Sequence, residues 1–332
     1  MAFGSSLLVK VRRFAAGIDV SPQAVRLVVL SQRVPVGGPV RIEYLAAVPL
    51  AAGAMAGVEI VDRVAVIRAL RDVFAELPRS CASSSLRCAM ALPASATLMS
   101  SLPLARLGGV SDVSDVSGVT PASGASLAAL ESAVLSEAER IAGIERHALA
   151  VDWFIDRSPR RADCVTIAAA TRQHLEARIE CAAAAGVTLT AIDGEPHAAL
   201  RALVHTAALE LEPHEPYAAI WVGADGVYGW RIAGEAVAGE MHYPAPEHED
   251  LADALRDLVD GGALGCALLG GELDLLDGVG FSVADFGDVL GCTVLPFECV
   301  AMGDCARPLS AELLREPNCV VAFGLALRGV ME

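Results

Sequence analysis

Between Phe14 and Val48 the chain alternates three apolar, β-branched runs with turn residues. FAAGIDV (14–20) is followed by SPQA, VRLVVLS (25–31) by VPVGGP, and VRIEYLAAV (40–48) closes the series. Runs this short, punctuated by Pro and Gly, are too brief for helices and read as an antiparallel meander. The same opening returns in the second half: Ala218–Gly223, the turn Ala224-Asp225-Gly226, then Val227–Ile232. Two strand–turn–strand openings, each followed by mixed strands and helices, predict a duplicated α/β or α+β architecture. At 332 residues the chain also exceeds what one ordinary core supports.

Further elements follow from periodicity. Asp62 is placed to cap a helix running to about Leu77, with Val66, Ile67, Leu70, Val73, Phe74 and Leu77 on one face. Strands are predicted at Leu86–Leu92, Thr97–Leu104, Leu149–Asp156, Cys164–Ala170 and Val187–Ile192. Helices are predicted at Leu127–Ile141, at Thr171–Ala185 and after Pro196, which suits a first helical turn. Gly108–Ser126, rich in Ser, Gly, Val and Asp without a period, reads as a mobile loop or insertion. Beyond residue 232 the pattern gives a helix at Asp250–Val259, then a strand at Ala263–Leu269 closing on Gly270-Gly271. A helix at Val283–Leu290, a strand at Thr293–Pro296 and an apolar C-terminal stretch, Cys319–Gly329, follow.

Charge narrows the functional classes. With 41 acidic against 25 basic residues the net charge is −16, and no basic stripe exists to follow a nucleic-acid backbone. Hydrophobic residues reach 54% but aromatics only 5%, so the core must be built from Ala, Val and Leu. A membrane span is not indicated, because the longest uncharged run, Cys88–Ala105, is interrupted by Pro93 and Pro103. At the N-terminus Phe3, Leu7, Leu8, Val11 and Phe14 share a helical face near Lys10, Arg12 and Arg13. Basic residues after apolar ones reverse the order of a secretory signal, and a frayed or packed segment is the plainer reading than a membrane contact. The nine cysteines contain no CxxC pair and read as small buried hydrophobes of a reducing, cytoplasmic compartment. His242 and His248 beside Glu247, Glu249 and Asp250 could form a metal site, but a proline-broken acidic loop is the plainer reading.

Several motifs, in order, resemble the actin-like ATPases and in particular the type IV pilus assembly family PilM. GIDVSPQAVRLVVLS is similar to that family's first phosphate hairpin, and Val58-Glu59-Ile60-Val61-Asp62 to the segment before its first helix. ALPASATLMSSLPL (91–104) resembles its Ala-Leu-Pro-Gly-Ser strand pair. ALAVDWF (148–154) and CVTIAAATRQHLEARIECAAAAGVTLTAID (164–193) resemble the strand–helix–strand that follows. Asp193, Glu195 and the LRAL after them match its Asp-Val-Glu and next helix, and FGLALRG (323–329) its C-terminal Gly-Leu-Ala-Leu-Arg. The resemblance implies an actin-like, ribonuclease H-like duplicated fold with a reduced second half. Residues 1–13 would be an N-terminal segment and 14–212 the first half, with a small subdomain inserted at about 93–163. Residues 213–332 would form the second half, its cleft-closing subdomain cut down to about 232–263.

In such a fold two hairpins offer backbone N–H groups to nucleotide phosphates, and an Asp at each first strand's end holds the water shell of Mg²⁺. The resemblance assigns Asp19 to the metal, and Ser21, Gln23 and Arg26 to the first hairpin, with Arg26 where the family has Lys. Gly223 falls in the second hairpin, and Gly270 and Gly271 match the pair that lets the backbone approach adenosine. Two departures stand out. Pro22 removes an N–H donor from the first turn, and Trp221 replaces the second hairpin's Asp, with Asp225 offset by four residues. ATP and Mg²⁺ are therefore conceivable ligands, but a degenerate site without nucleotide is the expectation, and hydrolysis is not expected.

The implied function is a non-enzymatic cytoplasmic scaffold at the inner face of the inner membrane. It would bind the N-terminal cytoplasmic peptide of a PilN-like membrane partner and link it to the pilus assembly and retraction ATPases. The family's groove lies beside the inserted subdomain, where Val151, Trp153 and Phe154 are the candidate residues here; core packing is the plainer reading for each. The family's aromatic-proline segment is replaced by AERIAGIERHALA, so the partner's peptide is expected to differ too. The alternatives are a functional ATP-binding actin-like protein or an actin-fold kinase, which needs intact phosphate hairpins and a catalytic Asp. A type II secretion platform protein would continue into a membrane helix, whereas this sequence stops at Glu332.

Overall fold

The computed structural model describes residues 12–33, 38–81, 86–107, 124–156, 164–212, 214–244, 248–299 and 309–331. In chain order the elements are β1 (Arg12–Val20), β2 (Ala24–Arg33), β3 (Arg41–Pro49), β4 (Met55–Ala56), β5 (Glu59–Ile60), α1 (Arg63–Ala75), β6 (Arg87–Leu92), β7 (Thr97–Pro103), α2 (Gly124–Ala142), β8 (Leu149–Asp156) and β9 (Cys164–Thr171). They continue with α3 (Arg172–Ala185), β10 (Leu189–Gly194), α4 (Glu195–Glu210), β11 (Tyr217–Gly223), β12 (Gly226–Ala233), β13 (Ala236–Tyr243), α5 (His248–Asp257), β14 (Cys266–Gly271), α6 (Val283–Leu290), β15 (Thr293–Pro296), α7 (Ala311–Arg315) and α8 (Val320–Met331). One compact unit takes the described residues up to Ala91 and from Ile179 onward; a second takes Leu92–Arg178.

The first unit holds two five-stranded sheets of like plan, ordered β10-β6-β1-β2-β3 and β13-β12-β11-β14-β15. Each begins with the expected antiparallel hairpin, Val20 opposite Val25 in one and Gly223 opposite Gly226 in the other. Each first strand also pairs in parallel with a later one, β1 with β6 and β11 with β14. Asp62 caps α1 by accepting from the Ala65 N–H at 3.0 Å, and Val66, Ala69, Leu70 and Val73 bury against the first sheet. Burial matches the sequence for six of the eight described cysteines: Cys81, Cys88, Cys181, Cys266, Cys299 and Cys319 are enclosed, while Cys164 and Cys292 are half-buried.

Two expectations change. Ala236–Tyr243, given no element from the sequence, forms a strand, β13, which takes in the first residue of the expected acidic loop, His242; its polar, alternating residues suit an edge with one wet face. His242 lies in that strand and stacks on the Tyr228 ring, with centroids 4.1 Å apart. Glu247 and the His248 and Glu249 side chains lie outside what is described, and among the described residues no cluster of His, Cys, Asp or Glu is arranged for a metal. Arg12, Arg13 and Phe14 belong to β1, while residues 1–11 and most of the Gly108–Ser126 segment lie outside the described residues.

The C-terminal stretch is a helix enclosed on nearly all sides. Val320 through Leu327 are at most 3% exposed. Two glycines allow this: a Cβ on Gly17 would stand 1.9 Å from the Ala322 carbonyl oxygen, and one on Gly324 would stand 1.8 Å from that of Ala198 in α4. Asp193, at the end of β10, ties α8 down. It accepts from Arg201 at 2.9 Å and pairs with Arg328 at 3.4 Å, while Arg201 also donates to the Gly324 carbonyl at 3.0 Å.

The second unit is a three-stranded antiparallel sheet, β7-β9-β8, with α2 on one face. Val165, Ile167 and Ala169 of the central strand pack with Leu130, Val134 and Ala138 of α2. Register puts Val151, Trp153 and Ile155 of β8 on that inner face and Asp152 and Phe154 on the other.

Candidate functional site at the two hairpins

Asp19, the penultimate residue of β1, faces Arg26 seven residues later, because the hairpin register pairs the two positions directly. The Arg26 guanidinium is 5% exposed. Its Nη1 lies 3.2 Å from Asp19 Oδ2, 3.1 Å from Ser21 Oγ and 3.0 Å from Glu272 Oε1. Burial pulls the guanidinium toward neutrality, yet the adjoining Asp19 and Glu272 carboxylates outweigh it and hold its pKa above the usual value. Glu272 directly follows Gly270-Gly271 at the end of β14. Sequence reasoning passed it over, although an acidic residue abutting a glycine pair at a strand end was a usable signal.

The first turn uses its own donors. Ser21 N–H bonds the Ala24 carbonyl at 3.0 Å, Pro22 has no N–H, and the Gln23 and Ala24 amides both donate to Ser21 Oγ at 3.3 Å. The hydroxyl in turn lies 3.2 Å from Gln23 Oε1, so the exposed Gln23 side chain folds back on the same turn. A phosphate-gripping hairpin aims such amides outward; here each is engaged inside the loop.

The second hairpin is filled by its own aromatic residue. Trp221 is 3% exposed, and its indole covers two glycines: a Cβ on Gly223 would lie 2.4 Å from Cη2, and one on Gly271 2.9 Å from Cδ1. Gly271 adopts φ +107 and approaches the Val222 carbonyl so closely that only glycine fits. Gly270 is met by the Val320 side chain, 3.2 Å from where a Cβ would be. The close approach at this pair is thus made by the chain itself. Trp221, Tyr228 and His242 form a continuous stack, with centroids 5.1 Å and 4.1 Å apart. Burial, then the neighbouring Asp225 and Glu195 carboxylates, push the Tyr228 phenol far above its usual pKa, so Tyr228 stays neutral.

The three groove candidates divide between two faces. Val151 and Trp153 pack into the core under α2, as the plainer reading had it, whereas Phe154 is 56% exposed on the opposite face. Met99, 37% exposed, is on that same outer face, set by the pairings of Met99 with Ala168 and of Phe154 with Thr166. β8 is an edge strand, unpaired on its outer side among the described strands.

Residues 17–114 match the family described as "Type IV pilus assembly protein PilM". No curated protein matches the sequence. Among solved structures, a PilM-PilN type IV pilus biogenesis complex is similar over 95% of this chain and 98% of that one, with a TM-score of 0.67 at 19% identity. Fainter likenesses include the ethanolamine utilization protein EutJ of Carboxydothermus hydrogenoformans, with a TM-score of 0.47 at 15% identity over 96% of this chain and 90% of that one. The cytoplasmic domain of EpsL, from the type II secretion system of Vibrio cholerae, gives 0.42 at 12% identity over 77% of this chain and 81% of that one. The chain has the actin-like fold, and its residues 17–114 are similar to the PilM family.

Proposed function

We propose that this chain is a non-enzymatic scaffold of type IV pilus assembly. It holds the N-terminal cytoplasmic peptide of a PilN-like inner-membrane partner and links that partner to the assembly and retraction ATPases. The observation that carries the reading is a sequence match to PilM at residues 17–114, joined to a fold likeness along the chain with a PilM-PilN complex. No described helix is long and apolar enough to cross a membrane, which fits attachment to the inner face of the membrane through the partner. An extended peptide would add to the free edge of β8, with Phe154 and Met99 supplying apolar contact on the outer face.

The nucleotide site is degenerate in this reading. The carboxylates that would hold the water shell of Mg²⁺ are taken by Arg26, the first turn's amides by Ser21, and the glycine surfaces by Trp221 and Val320. A metal sharing these carboxylates would also face a fixed guanidinium, at about 4 kcal/mol per unit charge for a ~4 Å separation and an effective dielectric of about 20. Mg-ATP does not fit these residues, and the same features weigh against the ATP-binding and kinase alternatives. Calorimetric titration of the full chain with the partner's N-terminal peptide, with and without Mg-ATP, tests this. Equal binding in both conditions, lost in Phe154→Asp, is expected. Binding only with Mg-ATP would overturn the degenerate site, and absence of binding in both would overturn the scaffold.

A further inference from the structure

We propose that Arg26 is an internal substitute for a bound cation, permanently bridging the first hairpin of one sheet to the glycine pair of the other. The inference deepens the degenerate-site reading, but it stands on the arrangement of Arg26 alone and not on any pilus partner. The guanidinium draws together two separate segments: the first hairpin, through Asp19 near the end of β1 and Ser21 in the turn, and Glu272 just after β14, 246 positions from Arg26 in sequence. Side-chain exposure is 5% for Asp19 and Arg26 and 12% for Glu272, so the bridge is shielded from solvent and salt.

The chemistry of the set follows from its charges. Two carboxylates converge on one cation from two sheets of the same compact unit. Without the guanidinium they would form a nearly enclosed acidic pair with a hydroxyl beside it, which is an oxygen donor set suited to a hard divalent ion. Buried like charges are stable only when one is protonated or a cation joins them. Arg26 supplies that cation covalently. The contact between the first hairpin and the end of β14 therefore exists without any ligand, and Arg26 is a positioning residue for the scaffold.

Thermal unfolding of the purified full chain tests this in EDTA, in Mg²⁺, in Mn²⁺ and in Mg-ATP, beside Mn²⁺ binding followed by electron paramagnetic resonance. The wild type is expected to melt at one temperature in all four conditions and to bind no Mn²⁺ at this site. Arg26→Ala should melt several degrees lower in EDTA, recover with Mn²⁺, and show bound Mn²⁺ where the wild type shows none. Adding Asp19→Asn should abolish the recovery. If Arg26→Ala does not fold, Arg26→Gln, closer in shape and equally uncharged, carries the same expectations. Wild type stabilised by Mg-ATP in a manner lost with Asp19→Asn would overturn the proposal, as would an Arg26→Ala protein that melts like the wild type and ignores Mn²⁺. These readouts need no peptide, so a failed peptide titration beside a cation-rescued Arg26→Ala would remove the pilus reading and leave this one standing.

Discussion

Gly17 belongs to the Gly-Ile-Asp run that resembles a phosphate hairpin, yet its surroundings assign it to packing. Replacing it with alanine puts a methyl 1.9 Å from the Ala322 carbonyl oxygen and 2.6 Å from the Ala326 nitrogen. Both are backbone atoms of α8, whose residues Val320–Leu327 are at most 3% exposed, so no side chain can swing aside. Gly324→Ala makes the equivalent collision with α4, 1.8 Å from the Ala198 carbonyl. Overpacking a core costs roughly 1–3 kcal/mol when side chains can adjust; with backbone on both sides, about 3 kcal/mol or more is expected. Against a total stability of about 5–15 kcal/mol that is a large fraction, and at 2–4 °C per kcal/mol it lowers the melting point by roughly 6–12 °C. Guanidinium unfolding of both variants followed by far-UV circular dichroism reads this out, with Gly278→Ala, which meets nothing within 4 Å, as the control. Curves for Gly17→Ala and Gly324→Ala that overlay the control would refute the packing assignment and return Gly17 to the phosphate role.

Asp193→Asn removes the charge that pairs Arg201 with Arg328, and about 1–3 kcal/mol of stability should go with it, measured by the same unfolding curves. Burial, the largest cause, lowers the pKa of both His197 and His205 below the ordinary histidine value. The unfolded chain therefore binds protons that the folded chain refuses. Stability should be level above about pH 7 and fall as pH drops through about 6.5, by up to about 1.4 kcal/mol per pH unit per histidine; a His197→Gln, His205→Gln protein with the wild-type slope would refute the assignment. Burial pushes the thiols of Cys88 and Cys266 up to about 11 and that of Cys319 up to about 12. In a Cys305→Ser background, an aromatic disulfide reagent at pH 8 should label half-buried Cys164 and Cys292 in the native protein and those three only on unfolding.

The hairpins, the Asp62 cap and the order of strands and helices were legible because each rests on local chemistry: β-branched runs, turn residues and a carboxylate before an apolar-periodic segment. β13 was not, since Ala-Val-Ala-Gly-Glu-Met-His-Tyr has little β-branched content and becomes a strand only because β12 offers it an edge. At the candidate site, Asp19 and Arg26 were visible as a pair of positions, but their direct pairing depends on hairpin register. Glu272 enters only through the fold, which spans 246 positions to bring it to Arg26. The split of Val151 and Trp153 from Phe154 also needed register, because a one-residue shift exchanges the faces of a strand.

A division runs through the residues that carry the family resemblance. Gly17, Gly324, Asp193, Arg201 and Arg328 match it, and each is required by the seating of α8 between β1 and α4, whatever the cleft contains. Pro22 and Trp221 depart from it, and both sit on the hairpins, where one deletes an amide and the other fills the space above Gly223 and Gly271. A sequence that had lost its fold would depart at the first set, and one that gripped phosphate with these hairpins would keep the second. The pattern observed is that of a fold whose packing demands are intact and whose first hairpin is joined by Arg26 to the residue that follows β14.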